Sequence, residues 1–267
     1  ANTNVAPGTI KSVLEANFDF NSTSLDPGLK STVIGSIDTL NTNRSEGGAG
    51  DETIPEIQAN RSAYFAAQNR TVTREDFMAH VLSMPPKFGR PEKVYVRRNN
   101  INGKAIDIHV LAKDPDGHLI RASPTLMNNI RTYLLQKRML TDGVNILHSD
   151  IMNMKLDFGI VVGPKLNRQE ILAKCLNTLV DYFHVDRMQI GQPIVISDVS
   201  AELQKIYGVI SVYKLELKNA FGTQESGIYA TTRFDVRAST QSGIIYCPEN
   251  AIFEVKFPRK DIFGETK

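Results

Sequence analysis

The sequence predicts an α+β fold: a mixed sheet with helices packed on one face, an irregular N-terminal arm and a β-rich C-terminal segment. Three observations carry that reading. Helical and strand periodicities interleave over residues 54–218, the pattern of a layered core. Asn102-Gly103 is a type I′ hairpin signal that opens the strand series. Beyond residue 218 only short strand-like runs remain, joined by Gly- and Asn-containing turns. The expected organisation is therefore an arm or linker over 1–53, a core over 54–218 and a tail over 219–267.

The elements follow in order. Residues 1–53 are rich in Asn, Thr, Ser and Gly, with strand hints at Val13, Phe18 and Phe20 and a short element around Val33, Ile34, Ile37 and Leu40. The run 45–50 reads as a flexible linker. Ala63, Tyr64, Phe65, Ala66 and Ala67 read as part of a buried helix over 54–69. Thr73 caps a second helix over 74–84, with Asp76 placed for a capping box and Phe77, Met78, Val81 and Leu82 forming i, i+4 pairs. A strand is expected over 93–98. Its partner alternates Ile106, Ile108 and Val110 with Asp107 and His109, which predicts one buried and one solvated face. Pro124 starts a helix whose Leu126, Ile130, Tyr133 and Leu134 share a face. Strands at 144–148 and 152–162 lead to a helix over 168–183, on which Ile171, Cys175, Leu179 and Phe183 line one side. Ser197 or Asp198 caps a last helix ended by Gly208, and 209–217 alternates as a strand. In the tail, 229–237, 244–246 and 252–257 read as strands.

At 267 residues the chain can bury one large core or two smaller ones. A net charge of +2 is too small to make nucleic acid or an anionic membrane an obligatory partner. No apolar run approaches the ~20 residues of a membrane span. Cys175 and Cys247 lie far apart without metal-ligand spacing, and Cys175 reads as a buried free thiol. The chain begins at Ala1 with no basic segment and apolar core behind it, so the reading expects no secretion signal and an excised piece of a longer protein.

Candidate chemistry dissolves on inspection. Asp107, His109, Asp114, Asp116 and His118 are the nearest approach to a metal cluster, but Asp114-Pro115-Asp116-Gly117 is a β-turn sequence and lacks the ligand run of a calcium loop. His80, His148 and His184 stand apart from any nucleophile setting. Gly163-Pro164-Lys165 mimics the end of a phosphate loop without its first glycine. Glu75 and Asp76 point about 100° apart on a helix and suit its first turn. No catalytic, cofactor-binding or metal residue is singled out, and the chain is expected not to be an enzyme. The rival reading is a nucleic-acid-binding module using Arg97, Arg98 and Arg131.

Two blocks carry a family likeness. The first is Ala63-x6-Arg70-x-Val72-Thr73-x-x-Asp76-Phe77. The second is Gly191-x-x-Ile194-x-x-Ser197-x-Val199 followed by Gly208-Val209, and the segment 133–138 resembles a crossover helix between them. In this order the chain resembles the baseplate-J-like family of phage tail proteins over 56–218, and within it the C-terminal region of the large wedge proteins of T-even-type contractile-tailed phages. The resemblance implies a structural subunit of the virion tail baseplate, assembled in the host cytoplasm. It would pair as a homodimer, contact other wedge subunits, join wedges into a ring and take part in rearrangement on tail contraction. It implies no cofactor.

The tail supplies residue types that interfaces favour: Phe221, Tyr229, Arg233, Phe234, Arg237, Tyr246 and Phe253. They read equally as an association surface or as a small β core. On the first reading, deleting 219–267 abolishes self-association and leaves 54–218 folded.

Overall fold

Two long central strands organise the chain. The computed structural model describes residues 5–11, 27–41, 70–103, 105–139, 142–164 and 166–267, with single positions at 54, 55, 57, 58, 61 and 65. The expected strand near Val13–Phe20 and most of the helix over 54–69 lie outside these residues. The element around Val33 and Ile34 is helix α1, Pro27–Gly35. Its Leu29, Val33 and Ile34 are exposed, as is Phe65, expected inside a buried helix.

The first sheet is built on β2 (Ala105–Lys113). Strand β1 (Lys93–Arg98) runs antiparallel along one edge. The other edge takes β3 (Leu119–Arg121), antiparallel, and β4 (Gly143–His148), parallel, end to end. Helices α2 (Arg74–Leu82) and α3 (Pro124–Leu135) cover one face. Phe77 and Val81 of α2 and Leu126, Ile130 and Leu134 of α3 meet Val96, Ile108, Val110 and Ile146 there. Thr73 and Asp76 form the expected reciprocal capping box, which satisfies N–H groups that the first turn leaves open. Ser123 caps α3, with Pro124 at its first turn.

The hairpin between β1 and β2 is present, but its turn is not type I′. Gly103 does not adopt a positive φ, and Asn99 shapes the connection by accepting from the N–H groups of Ile101 and Asn102, both at 2.9 Å. Strand β2 is also buried on both faces rather than half-solvated. Asp107 and His109 are 2% and 3% exposed.

The second sheet repeats the plan around β5 (Asp150–Val162). Strand β7 (Val209–Ala220) lies antiparallel on one edge, with two bulges opposite Gly159–Val162. On the other edge β12 (Ala251–Glu254) and β13 (Ile262–Thr266) pair in tandem, both parallel to β5. Helices α4 (Arg168–Tyr182) and α5 (Ile196–Gln204) cover one face, where Ile171, Cys175, Leu179, Val199 and Leu203 pack with Met154, Leu156, Phe158 and Ile160. Asn167 caps α4, accepting from the N–H of Gln169 at 3.1 Å. Helix α5 starts one residue before Ser197, so neither Ser197 nor Asp198 is its cap. Short strands β6 (Ile194–Val195), β10 (Thr240–Gln241) and β11 (Ile244–Ile245) form a separate small sheet, and β8 (Thr223–Gln224) and β9 (Gly227–Ile228) an antiparallel hairpin.

The fold is thus α+β, with two four-stranded mixed sheets in place of the single one expected, each carrying its helices on one face, beside two smaller antiparallel sheets. The chain passes from the first sheet to the second through Ser149, and Leu111 and Leu119 of the first sheet are buried in the second core. The segment 219–267 shares the second core, because β12 and β13 pair with β5 and contribute Ile252, Phe253 and Ile262 to it. The expected boundary at 218/219 therefore does not coincide with the edge of a core. Residues 229–237, read as a strand, form an irregular segment pinned by side chains: Ala230 N–H donates to Asn153 Oδ1 at 2.8 Å, and Phe234 N–H to Asn219 Oδ1 at 3.0 Å.

Candidate functional site

The seven tail residues separate into inner and outer sets. Tyr229 and Phe253 are buried. Phe253 lies in β12 and stacks edge-on with Phe234 at 5.3 Å. Tyr229 donates its hydroxyl to the buried carboxylate of Asp261, a bond that helps push the phenol up to about 12, behind the larger effect of burial. These two belong to the core, because the tail runs into the sheet rather than beside it. Phe234 is half-buried. Phe221, Arg233, Arg237 and Tyr246 are exposed, and the Arg233 guanidinium sits over the Phe221 ring at 4.7 Å. Phe221 and Arg233 thus form one patch at the end of β7, while Arg237 and Tyr246 flank the β10–β11 hairpin.

The sequence reading missed β7 itself as a surface feature. The strand is hydrogen-bonded to β5 on one side, and among the described residues no strand pairs with its other side. Ile210 and Tyr213 are exposed along it, as are Tyr207 just before it and Phe263 of β13. Alternation over 209–217 identified the strand but not its place in the sheet, which depends on the remote partner β5. The Tyr213 ring lies so close over Gly159 that a Cβ there would approach it to 2.5 Å, and the Lys267 ammonium lies 4.3 Å from the centre of the same ring. Lys218 pairs with Asp157 at 2.5 Å, and Lys214 with Glu265 at 3.8 Å.

Of the basic residues that invite a nucleic-acid reading, Arg97 is engaged inside the chain. Arg97 bridges Asp107 at 3.8 Å and Glu249 at 3.2 Å. Lys93 is buried and donates to the Asp186 carbonyl at 3.2 Å. Arg98 and Arg131 are exposed, on different elements. Asp107 is the centre of a polar row. Burial works to raise its carboxyl, but hydrogen bonds from Asn145 and Asn99 and the charge of Arg97 hold it below the usual carboxylate range.

The remaining titratable groups serve as ties. Glu254 borders a cleft of about 280 Å³, yet one oxygen accepts from Leu119 N–H at 2.8 Å and the other from Asn153 at 2.7 Å. Burial pushes this carboxyl up. Asp114 and Gly117 close the expected turn, with Gly117 at φ 92°. Among the described residues no group of His, Cys, Asp or Glu is placed to hold a metal ion, and no helix is long and apolar enough to cross a membrane. Both cysteines are free thiols; burial raises Cys175 to about 11 and Cys247 to about 12.

No protein-family model matches the chain, and no curated protein matches it. Among solved structures it is similar to a chain in the cryo-EM structure of the anti-feeding prophage (AFP) baseplate, 6-fold symmetrised, with a TM-score of 0.48 and 14% identity. The similarity covers 81% of this chain and 44% of that one, so this chain spans less than half of its neighbour's length. A likeness at that level leaves function to be argued from the residues.

Proposed function

We propose that the chain is a non-enzymatic structural subunit of a contractile-tail baseplate, associating with its own copies and with other subunits of that assembly. The observation that carries an association role is β7: a long strand with an open edge, bordered by exposed Ile210, Tyr213 and the Phe221–Arg233 patch. The polar clusters described above tie elements of the chain to one another, and none aligns a nucleophile with a base.

The baseplate assignment rests on the resemblance of the two sequence blocks, and their physical roles make them more than coincidental strings. Asp76 closes the capping box of α2. Gly208, at φ +103°, turns the chain from α5 into β7 where a Cβ would meet Ile171 and Leu166. On this reading the work is mechanical. Paired copies close a ring through two kinds of contact, one within a pair and one between pairs, and the ring changes geometry when the tail contracts. The tail residues Phe221, Arg233, Arg237 and Tyr246 supply part of these contacts.

Antibodies against the purified chain test the reading on tail particles from producing cells. Immunogold at the distal end of the tail is the expected result. Label on another structure, or on none, overturns it.

A further inference from the structure

We propose that the second half of β7, residues 214–220, pairs edge to edge with the same strand of a second copy, antiparallel and centred on Leu217. This deepens the assembly reading and rests on it.

The edge is open, as described, and its protection is uneven. Natural edges are blunted by bulges and by charged side chains. Both bulges of β7 lie in its first half, opposite Gly159–Val162, whereas from Lys214 to Ala220 the ladder to β5 is regular. Seven residues at about 3.4 Å each offer roughly 24 Å of backbone donors and acceptors. The charges on this half are Lys214, Glu216 and Lys218, all on the face away from the helices. They repel a uniformly basic or acidic strand, but they do not repel a copy of themselves in the correct register.

That register follows from symmetry. A two-fold axis through an antiparallel pair sets each residue against a partner on the same face, so the centre must fall on a residue. Centring on Glu216 places it against itself and Lys214 against Lys218, which like-charge repulsion disfavours. Centring on Leu215 sets Lys214 against Glu216 but drives both strands across the bulge at Tyr213. Centring on Leu217 sets Glu216 against the second copy's Lys218 twice over, keeps every pair within the regular stretch, and places the Leu217 side chains together beside the helix-covered core. In one chain Lys218 is held by Asp157 at 2.5 Å and lies 3.7 Å from Glu216, while the Lys218 and Glu216 side chains remain 59% and 56% exposed, so a neighbour's opposite charge can add to each. The Phe221–Arg233 patch continues this surface at the strand's end.

Sedimentation equilibrium of the full chain and of Glu216→Lys, Lys218→Glu and the double exchange tests the pairing, with circular dichroism confirming that each variant folds. The wild type dimerises; each single reversal turns two attractive pairs into repulsive ones and weakens the dimer by about tenfold. The double exchange restores it. Single variants that dimerise like the wild type, or a double exchange no better than its parents, overturn the register. A wild type that stays monomeric overturns self-pairing on this edge. Immunogold labelling of tails is independent of all these outcomes, so failure of the pairing and failure of the baseplate reading are told apart.

Discussion

Deleting residues 219–267 should unfold the second half of the chain. The deletion removes the four residue pairs of β12 and the five of β13 along β5. It also removes Tyr229, Ile245, Ile252, Phe253, Val255 and Ile262, all less than 5% exposed. At about 1.5–3 kcal/mol for each buried side chain, the loss is roughly 9–18 kcal/mol as an upper bound. A domain's whole stability is about 5–15 kcal/mol. The segment 150–218 therefore has no means of remaining folded, whereas the first core draws none of its buried residues from the tail. Hydrogen exchange on the 1–218 variant provides the assay. Amides of β2 and α3 should stay protected, while those of β5 and β7 exchange as in an unfolded chain. Protection in β5 and β7 equal to that of the full chain would refute the reasoning and restore the tail as a separable appendage. Loss of self-association in this variant would not locate an interface, because the deletion removes fold and surface together.

Further outcomes follow from single residues. Gly208→Ala should cost about 2–3 kcal/mol in urea unfolding, combining left-handed strain with contacts of 2.5 and 2.8 Å to Ile171 and Leu166, while Gly243→Ala, with open space around it at φ +80°, should cost only about 1 kcal/mol; equal losses would contradict the packing described. Asp107→Asn should destabilise by about 1–3 kcal/mol at pH 7 by setting an amide against the donors of Asn99 and Asn145. Because the folded carboxyl is held low, its contribution is present above the unfolded value of about 4 and fades as pH falls through the folded one, so the deficit must shrink in acid; a pH-independent deficit would refute this. With thiols raised to about 11 and 12, native Cys175 and Cys247 should react slowly with a thiol reagent at pH 8, and both should react rapidly in denaturant; fast reaction of the native chain would contradict their environments.

Local chemistry made part of this fold readable. Strand β1, the capping box at Thr73, the apolar stripe of α4 and the turn at Asp114–Gly117 are each specified within a few residues, and the structure has all of them. What resisted reading depends on remote partners. Strand β13 is short, contains Gly264 and exists because β5 supplies its parallel ladder from a hundred residues away in sequence. Alternation in β2 promised one wet face, but Arg97, Asn99 and Asn145 satisfy Asp107 there and water is displaced. The candidate surface shows the same limit. Composition identified aromatic and arginine residues in the tail, yet exposure is set by tertiary pairing, which buried Tyr229 and Phe253 and left Phe221 and Tyr246 outside. Nothing within β7 marks its outer edge as open.

The most direct test of the account is the copy number of this chain in purified tail particles, by quantitative mass spectrometry against labelled standards. A ring closed by two-fold pairs predicts a fixed, even number of copies per tail. Absence from the particles, or a small substoichiometric amount, would contradict a structural role in the baseplate.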